Sequence, residues 1–137
     1  MNPNAIDAAL YTKLAGGTAL TNLLGGTAIY QYLAPENTDA PYVIYQRMSQ
    51  IPEYVLSGVA MEDAIYMVKG VTEGPSAVIA GSVASAIDTL LQDQALTITG
   101  YAHLYLRRES SVDYTEMTEG VRYSHRGATY RIIGSPS

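Results

Sequence analysis

Residues 76–92, SAVIAGSVASAIDTLLQ, carry apolar side chains at Ile79, Val83, Ala86, Ile87, Leu90 and Leu91. That spacing follows a 3.6-residue period and predicts an amphipathic helix with one apolar face. Ser82, Ser85, Thr89 and Gln92 fall largely elsewhere, and Pro75 stands where a first-turn proline belongs. A helix of this kind must cover an apolar surface, and the strand-like runs on either side of it supply a sheet.

Those runs can be read in order. Residues 3–14 form a second helix, capped by Asn2 or Asn4, with Ile6, Leu10 and Leu14 on one face and Gly16-Gly17 as its stop. Thr18 caps a short helix over 19–24, which Gly25 and Gly26 end. AIYQYL at 28–33 is a first strand, and 35–40 is a polar loop. Pro41 is acceptable just before a strand. Residues 42–49 alternate, with Val43 and Tyr45 on one face and Ile44 and Met48 on the other. IPEYVLSGVAME at 51–62 is either a long loop or a hairpin tip. AIYMVKGVT at 64–72 is apolar on both faces, as a central strand is. Residues 102–110 alternate, with Leu104 and Leu106 opposite His103, Tyr105, Arg107 and Glu109. Residues 111–120 are polar and acidic and are expected to form a loop. The last strand, 121–133, changes parity at Gly127. A one-residue bulge there would restore one apolar face, and a hairpin turn at 125–127 is the competing reading. The expected fold is α+β: a mostly antiparallel sheet of about five strands, one long amphipathic helix packed on it, and N-terminal helices, in a single domain over 1–137.

Composition narrows the function. The chain has 137 residues, no Cys and a net charge of −5. Disulfides and thiolate metal sites are excluded. Thirteen acidic residues against eight basic ones argue against tight DNA binding, although five of the eight, Arg107, Arg108, Arg122, Arg126 and Arg131, lie at or beyond position 107. No apolar run approaches the ~20 residues that span a membrane. The N-terminus lacks a signal-peptide pattern, and assembly in the cytosol is expected. Twelve Tyr with no Phe or Trp fit either tyrosine-filled sheet cores or half-wet protein interfaces.

No motif for chemistry appears. GGTALTNLLGG at 16–26 invites a phosphate-loop reading, but no Lys follows these glycines, and they read as helix caps. His103 and His125 have no companion ligands at metal-site spacing and read as ordinary surface residues. Glu36, Asp39, Glu62 and Asp63 read as solvated loop charges. Arg107 and Arg108 are neighbours on a strand, so one of them faces the Leu104/Leu106 side. Arg108 there either escapes to solvent at the strand end or pairs with an acid of another subunit.

The ordered series of an N-terminal helix, ALTNLLGG (19–26), IYQYLAP (29–35), APYVIYQ (40–46), a strand, the long helix, LYLRRES (104–110) and GVRYSHRGATYRII (120–133) resembles the tail completion, or tail terminator, proteins of long-tailed bacteriophages. The resemblance implies a structural virion protein of the tail and neck, with no catalysis, cofactor or metal. It implies a homo-oligomeric ring, commonly a hexamer, that caps the tail tube protein, stops its growth and docks to the head–tail connector, with DNA passing through the lumen without tight binding. Two segments are then expected to make the contacts: 52–63, with Tyr54, Val55, Leu56, Glu62 and Asp63, and 112–119, with Asp113, Tyr114, Glu116 and Glu119. Arg107 and Arg108 join them as candidates. Another neck or tail component, such as an adaptor or tube protein, and a small ligand-binding domain or enzyme are the alternative readings.

Overall fold

The computed structural model describes residues 2–136, apart from the side chain of Leu104, so the expected orientation of Leu104 lies outside the described residues. In chain order the elements are α1 (Pro3–Ala15), α2 (Thr18–Leu24), β1 (Ile29–Gln31), β2 (Tyr42–Val55), β3 (Gly58–Glu73), α3 (Val78–Leu91), β4 (Tyr101–Thr118) and β5 (Val121–Pro136). The strands lie in the order β1-β2-β3-β5-β4, so β3 is central as its two-sided apolar run requires.

The fold is α+β, but two features of the expected architecture are corrected. First, the sheet is mixed and curled: β1 runs parallel to β2, and an isolated bridge between Ile98 and Tyr101 adds a further short segment. Second, α3 does not cover the sheet alone. Ile6, Leu10 and Leu14 of α1 are fully buried in the same core as Val83, Ile87 and Leu91 of α3. Asp7 ties α1 to the sheet by accepting hydrogen bonds from Tyr66 Oη at 2.5 Å and Gln31 Nε2 at 2.7 Å.

The helix ends follow local chemistry. Asn2 Oδ1 accepts from the Asn4 backbone N–H at 2.9 Å and caps α1. Thr18 is the first residue of α2 rather than its cap, which is Gly17. A Cβ on Gly17 would sit 2.4 Å from Leu90 Cδ1, so the bare backbone lets α2 begin against α3. Pro75 lies ahead of α3, whose cap is Ala77, and Ser76 Oγ accepts from the Val78 N–H at 3.2 Å. The buried face of α3 is Ala80, Val83, Ile87 and Leu91. Ile79 is exposed, so the true stripe is rotated from the expected one.

One sheet face meets the helices. It carries Val43 and Tyr45 of β2, Ala64, Tyr66 and Val68 of β3, Ala128, Tyr130 and Ile132 of β5, and Leu106 of β4. Tyr66 and Tyr130 fill the interior and direct their hydroxyls to acids at the helix surface, Asp7 and Asp88. Burial and those carboxylates push both phenol pKa values up. The twelve tyrosines thus include true core residues as well as exposed ones.

Neither reading of Gly127 survives. β5 pairs with β3 without interruption from Tyr123 to Gly134, so there is no bulge in β5 and no turn at 125–127. The register shifts are in β2 around Met48, which is exposed, in the β2–β3 hairpin at Ala60, between the pairs Glu53–Met61 and Tyr54–Val59, and in β4 between His103 and Tyr105 and between Arg108 and Ser110.

Candidate functional site

Two hairpins extend past the ends of the shared sheet. β3 pairs with β5 from Glu62 to Glu73, whereas residues 58–61 pair with β2 alone. The β2–β3 hairpin therefore projects as a two-stranded arm. It closes through Leu56 and Ser57 between the paired residues Val55 and Gly58, and Gly58 has φ +136°. Of the two readings of 51–62, the hairpin is the one observed. Among the described residues no third strand and no helix covers it, and the arm exposes Tyr54, Val55, Leu56 and Val59, with Tyr54 72% and Leu56 fully exposed; Ile51 at its base is exposed as well. A cluster of this kind on a soluble surface marks an interaction site.

The second hairpin replaces the loop expected at 111–120. β4 runs on to Thr118, pairs with β5 along its length, and turns through Glu119 (φ +53°) and Gly120 (φ +80°). Positive φ at both turn residues is the primed geometry that matches strand twist. Because Glu73, at the end of β3, pairs with Tyr123, this tip lies at the opposite end of the sheet from the first arm.

The candidate contact residues separate accordingly. Tyr54, Val55 and Leu56 sit at the free tip of the first arm, and Glu119 at the second turn. Glu62 is buried at the base of the first arm and accepts a hydrogen bond from Gln50 Nε2. Asp63 lies 3.1 Å from Arg131 Nε, which also reaches Glu109 at 3.4 Å. Arg107 pairs with Asp93 at 3.1 Å. Arg108 does face the Leu106 side, and it is held 3.4 Å from Asp88 of α3, an acid of its own chain. Asp113 reaches Arg126 at 3.3 Å, and Arg126 Nη1 donates to the Ala77 carbonyl at the start of α3. The Arg107–Asp93 and Arg126–Asp113 pairs are half-exposed and fix side-chain positions more than they stabilise the fold, whereas Asp63 is largely buried.

Tyr114 and Glu116 belong to a polar cluster on the sheet face opposite the helices. Lys69 Nζ donates to Tyr114 Oη at 2.5 Å. The Tyr114 ring stacks on His125 with centroids 4.4 Å apart and planes 7° from parallel. His125 Nε2 and Glu116 Oε1 are 2.6 Å apart, and with a carboxylate as acceptor the ring nitrogen donates. His125 is thus buried, contrary to the surface position expected for it. His103, on β4, is half-buried, and its Nδ1 accepts from the Leu96 N–H at 3.4 Å. The pKa of Tyr42 on β2 is raised, first by burial and then by Tyr123 on β5 and Glu116 and Tyr114 on β4. Lys69 was the signal available in the sequence. A lone Lys in the run AIYMVKGVT must find partners if the strand is central.

Burial lowers the His125 pKa, and Lys69 adds to that, outweighing Glu116. Its buried Nδ1 has no partner among the described residues, so protonation would leave an unpaired N–H. An unfolded chain binds this proton near the ordinary histidine value of about 6.5, and the folded chain binds it only at lower pH. Stability should therefore fall as pH drops below about 6.5, by at most about 1.4 kcal/mol per pH unit for this group. Urea midpoints at pH 7.5, 6.5 and 5.5 should show that fall, and His125→Gln should flatten it. An equal slope in the variant would assign the dependence to other groups.

Among the described residues no group of three or more His, Asp and Glu could hold a metal, and no helix is long and apolar enough to cross a membrane.

The same fold occurs in solved structures. A chain from the virion of a native gene transfer agent particle superposes with TM-score 0.80, at 17% identity over 96% of both chains. A second solved chain gives TM-score 0.64, at 14% identity over 96% of both. At these identities the likeness is one of fold. No curated protein matches in sequence. The model of the family described as tail completion protein gp17 matches residues 8–133. The chain belongs to that family, and so is a structural protein of the bacteriophage virion tail.

Proposed function

We propose that this protein closes into a ring, with six copies as the expected number, on the end of the finished tail tube. The ring stops tube growth and presents a surface that docks the tail to the head connector. The observation that carries this reading is the pair of hairpin arms at opposite ends of one sheet in a tail completion fold. A subunit in such a ring must touch a neighbour, the tube below and the connector above, and it needs distinct patches for each. Tyr54, Val55 and Leu56 on one arm, Glu119 at the turn of the other, and Asp113, Tyr114 and Glu116 on the strand that leads to it, are the contact residues of this reading. The net charge of −5 supports a lumen through which DNA slides without tight binding.

The register of the first arm supplies a clean test. Glu53 pairs with Met61, so replacing residues 54–60 by Asn-Gly closes a two-residue hairpin in the same register. The shortened protein should melt within about 3 °C of the parent, because the arm has no core face. It should fail to form rings and fail to join tails to heads in a reconstitution assay. Normal ring formation and joining by the shortened chain would refute the role given to the arm.

A further inference from the structure

We propose that the β2–β3 arm of one copy seats in a groove of the next copy, between α1 and the segment that links α3 to β4, with Glu53 against Lys13. This interface rests on the ring reading above and names the contact that would build the ring. The groove encloses about 570 Å³ and is lined by Ala5, Ala9, Lys13, Leu90 and Leu96, among others. A cavity of that size accepts several large side chains. Its walls combine alanines and two leucines with the hydroxyls of Thr12, Thr97 and Thr99, and among the described residues Lys13 is the one charged residue on them.

The arm offers the complementary shape and charge. Tyr54, Val55 and Leu56 are exposed apolar side chains on a narrow two-stranded ribbon, and Glu53 precedes them. Neither Glu53 nor Lys13 makes an ion pair among the described residues. The arm does not fill the groove of its own chain. Tyr66 of β3 is the level at which α1 is fastened, through Asp7. Gly58 lies eight residues before Tyr66 on the same strand, about 26 Å at the usual rise per residue. An arm projecting that far has no route back to its own α1 while its strands stay paired. Knob and hollow on different surfaces of one chain make a head-to-tail contact, which closes into a ring when the rotation closes.

The chain contains no Cys, so engineered thiols report one contact without background. Leu56→Cys combined with Ala9→Cys should give, on mild oxidation of the assembled full-length protein, a disulfide-linked ladder up to the full ring on non-reducing gels, which reductant collapses to monomer. Met117→Cys combined with Ala9→Cys, which places one thiol on the other hairpin, should give none. Independently, Glu53→Lys and Lys13→Glu should each raise the concentration needed for assembly at least tenfold, and the two together should restore it. Rings that form without the ladder, or charge changes whose effects merely add, would overturn this interface and leave the ring reading standing. If the parent protein forms no ring, alone or on tail tubes, the ring reading falls and this interface falls with it.

Discussion

Gly127→Ala is expected to lower the melting temperature by about 10 °C, a loss of about 3 kcal/mol, although it adds a single methyl group. The Cβ would lie 2.1 Å from the Val68 carbonyl oxygen and 2.5 Å from Lys69 Cα. Both are backbone atoms of the central strand, so no side chain can rotate away to make room. β5 passes this close to β3 at Gly127, and only a residue without a side chain allows it. The comparison variant is Gly81→Ala on α3. Its Cβ would meet the Arg126 guanidinium Nη1 at 3.1 Å, the far end of a flexible side chain. Removing a helical glycine gains about 0.5–1 kcal/mol, which offsets that contact. Circular-dichroism melts of the two variants should therefore move apart. A Gly127→Ala melt within about 2 °C of the parent would show that the strands can separate there at little cost.

Ile87→Ala should cost about 2–5 kcal/mol, and Ile79→Ala less than about 0.5 kcal/mol. Ile87 is fully buried between α3 and the sheet, and truncation leaves a cavity that Val83, Leu91 and the strand residues cannot close. Ile79 is 55% exposed and has little packing to lose. The two residues share a stripe when the helix is read from its periodicity alone, so chemical-denaturation midpoints of the pair test the observed rotation of α3. Equal losses would place Ile79 in the core and contradict it.

That rotation shows what periodicity can and cannot convey. The stripe at 76–92 spans more than one helical face, and the sheet selects Ala80, Val83, Ile87 and Leu91 from it. Gly70 takes part in that selection, since a Cβ there would strike Val83 Cγ1 at 2.4 Å. α1, α2, the alternation of β2 and the central position of β3 were legible because each has one apolar face or two. The hairpin at 51–62 was one of two open readings, and the one at 111–120 was not legible. The tips at 54–60 and 117–120 extend past the shared sheet, so no buried face imposes alternation on them, and the polar residues at 113–116 find their partners, Arg126 and His125, on β5. Parity at Gly127 misled for a related reason. Ala128, Tyr130 and Ile132 face the helices, while Tyr123 and His125 face the Lys69–Tyr114 cluster. Both faces of β5 are covered there, and a change of covered face looks in sequence like a bulge. The candidate contacts divide in the same way. Tyr54–Leu56 stand free where a contact residue must, but the partners of Glu62, Arg107 and Arg108 within the chain come from β2 and the α3 end, too distant in sequence to be foreseen.

The central claim is that this chain caps a tube as one closed ring. The most direct test is the mass of the purified protein by light scattering over a concentration series, with and without isolated tail tubes. The account predicts a discrete species of about six subunits, either in solution or formed once per tube end. Polymers that lengthen with concentration, or a monomer that ignores tail tubes, would contradict it.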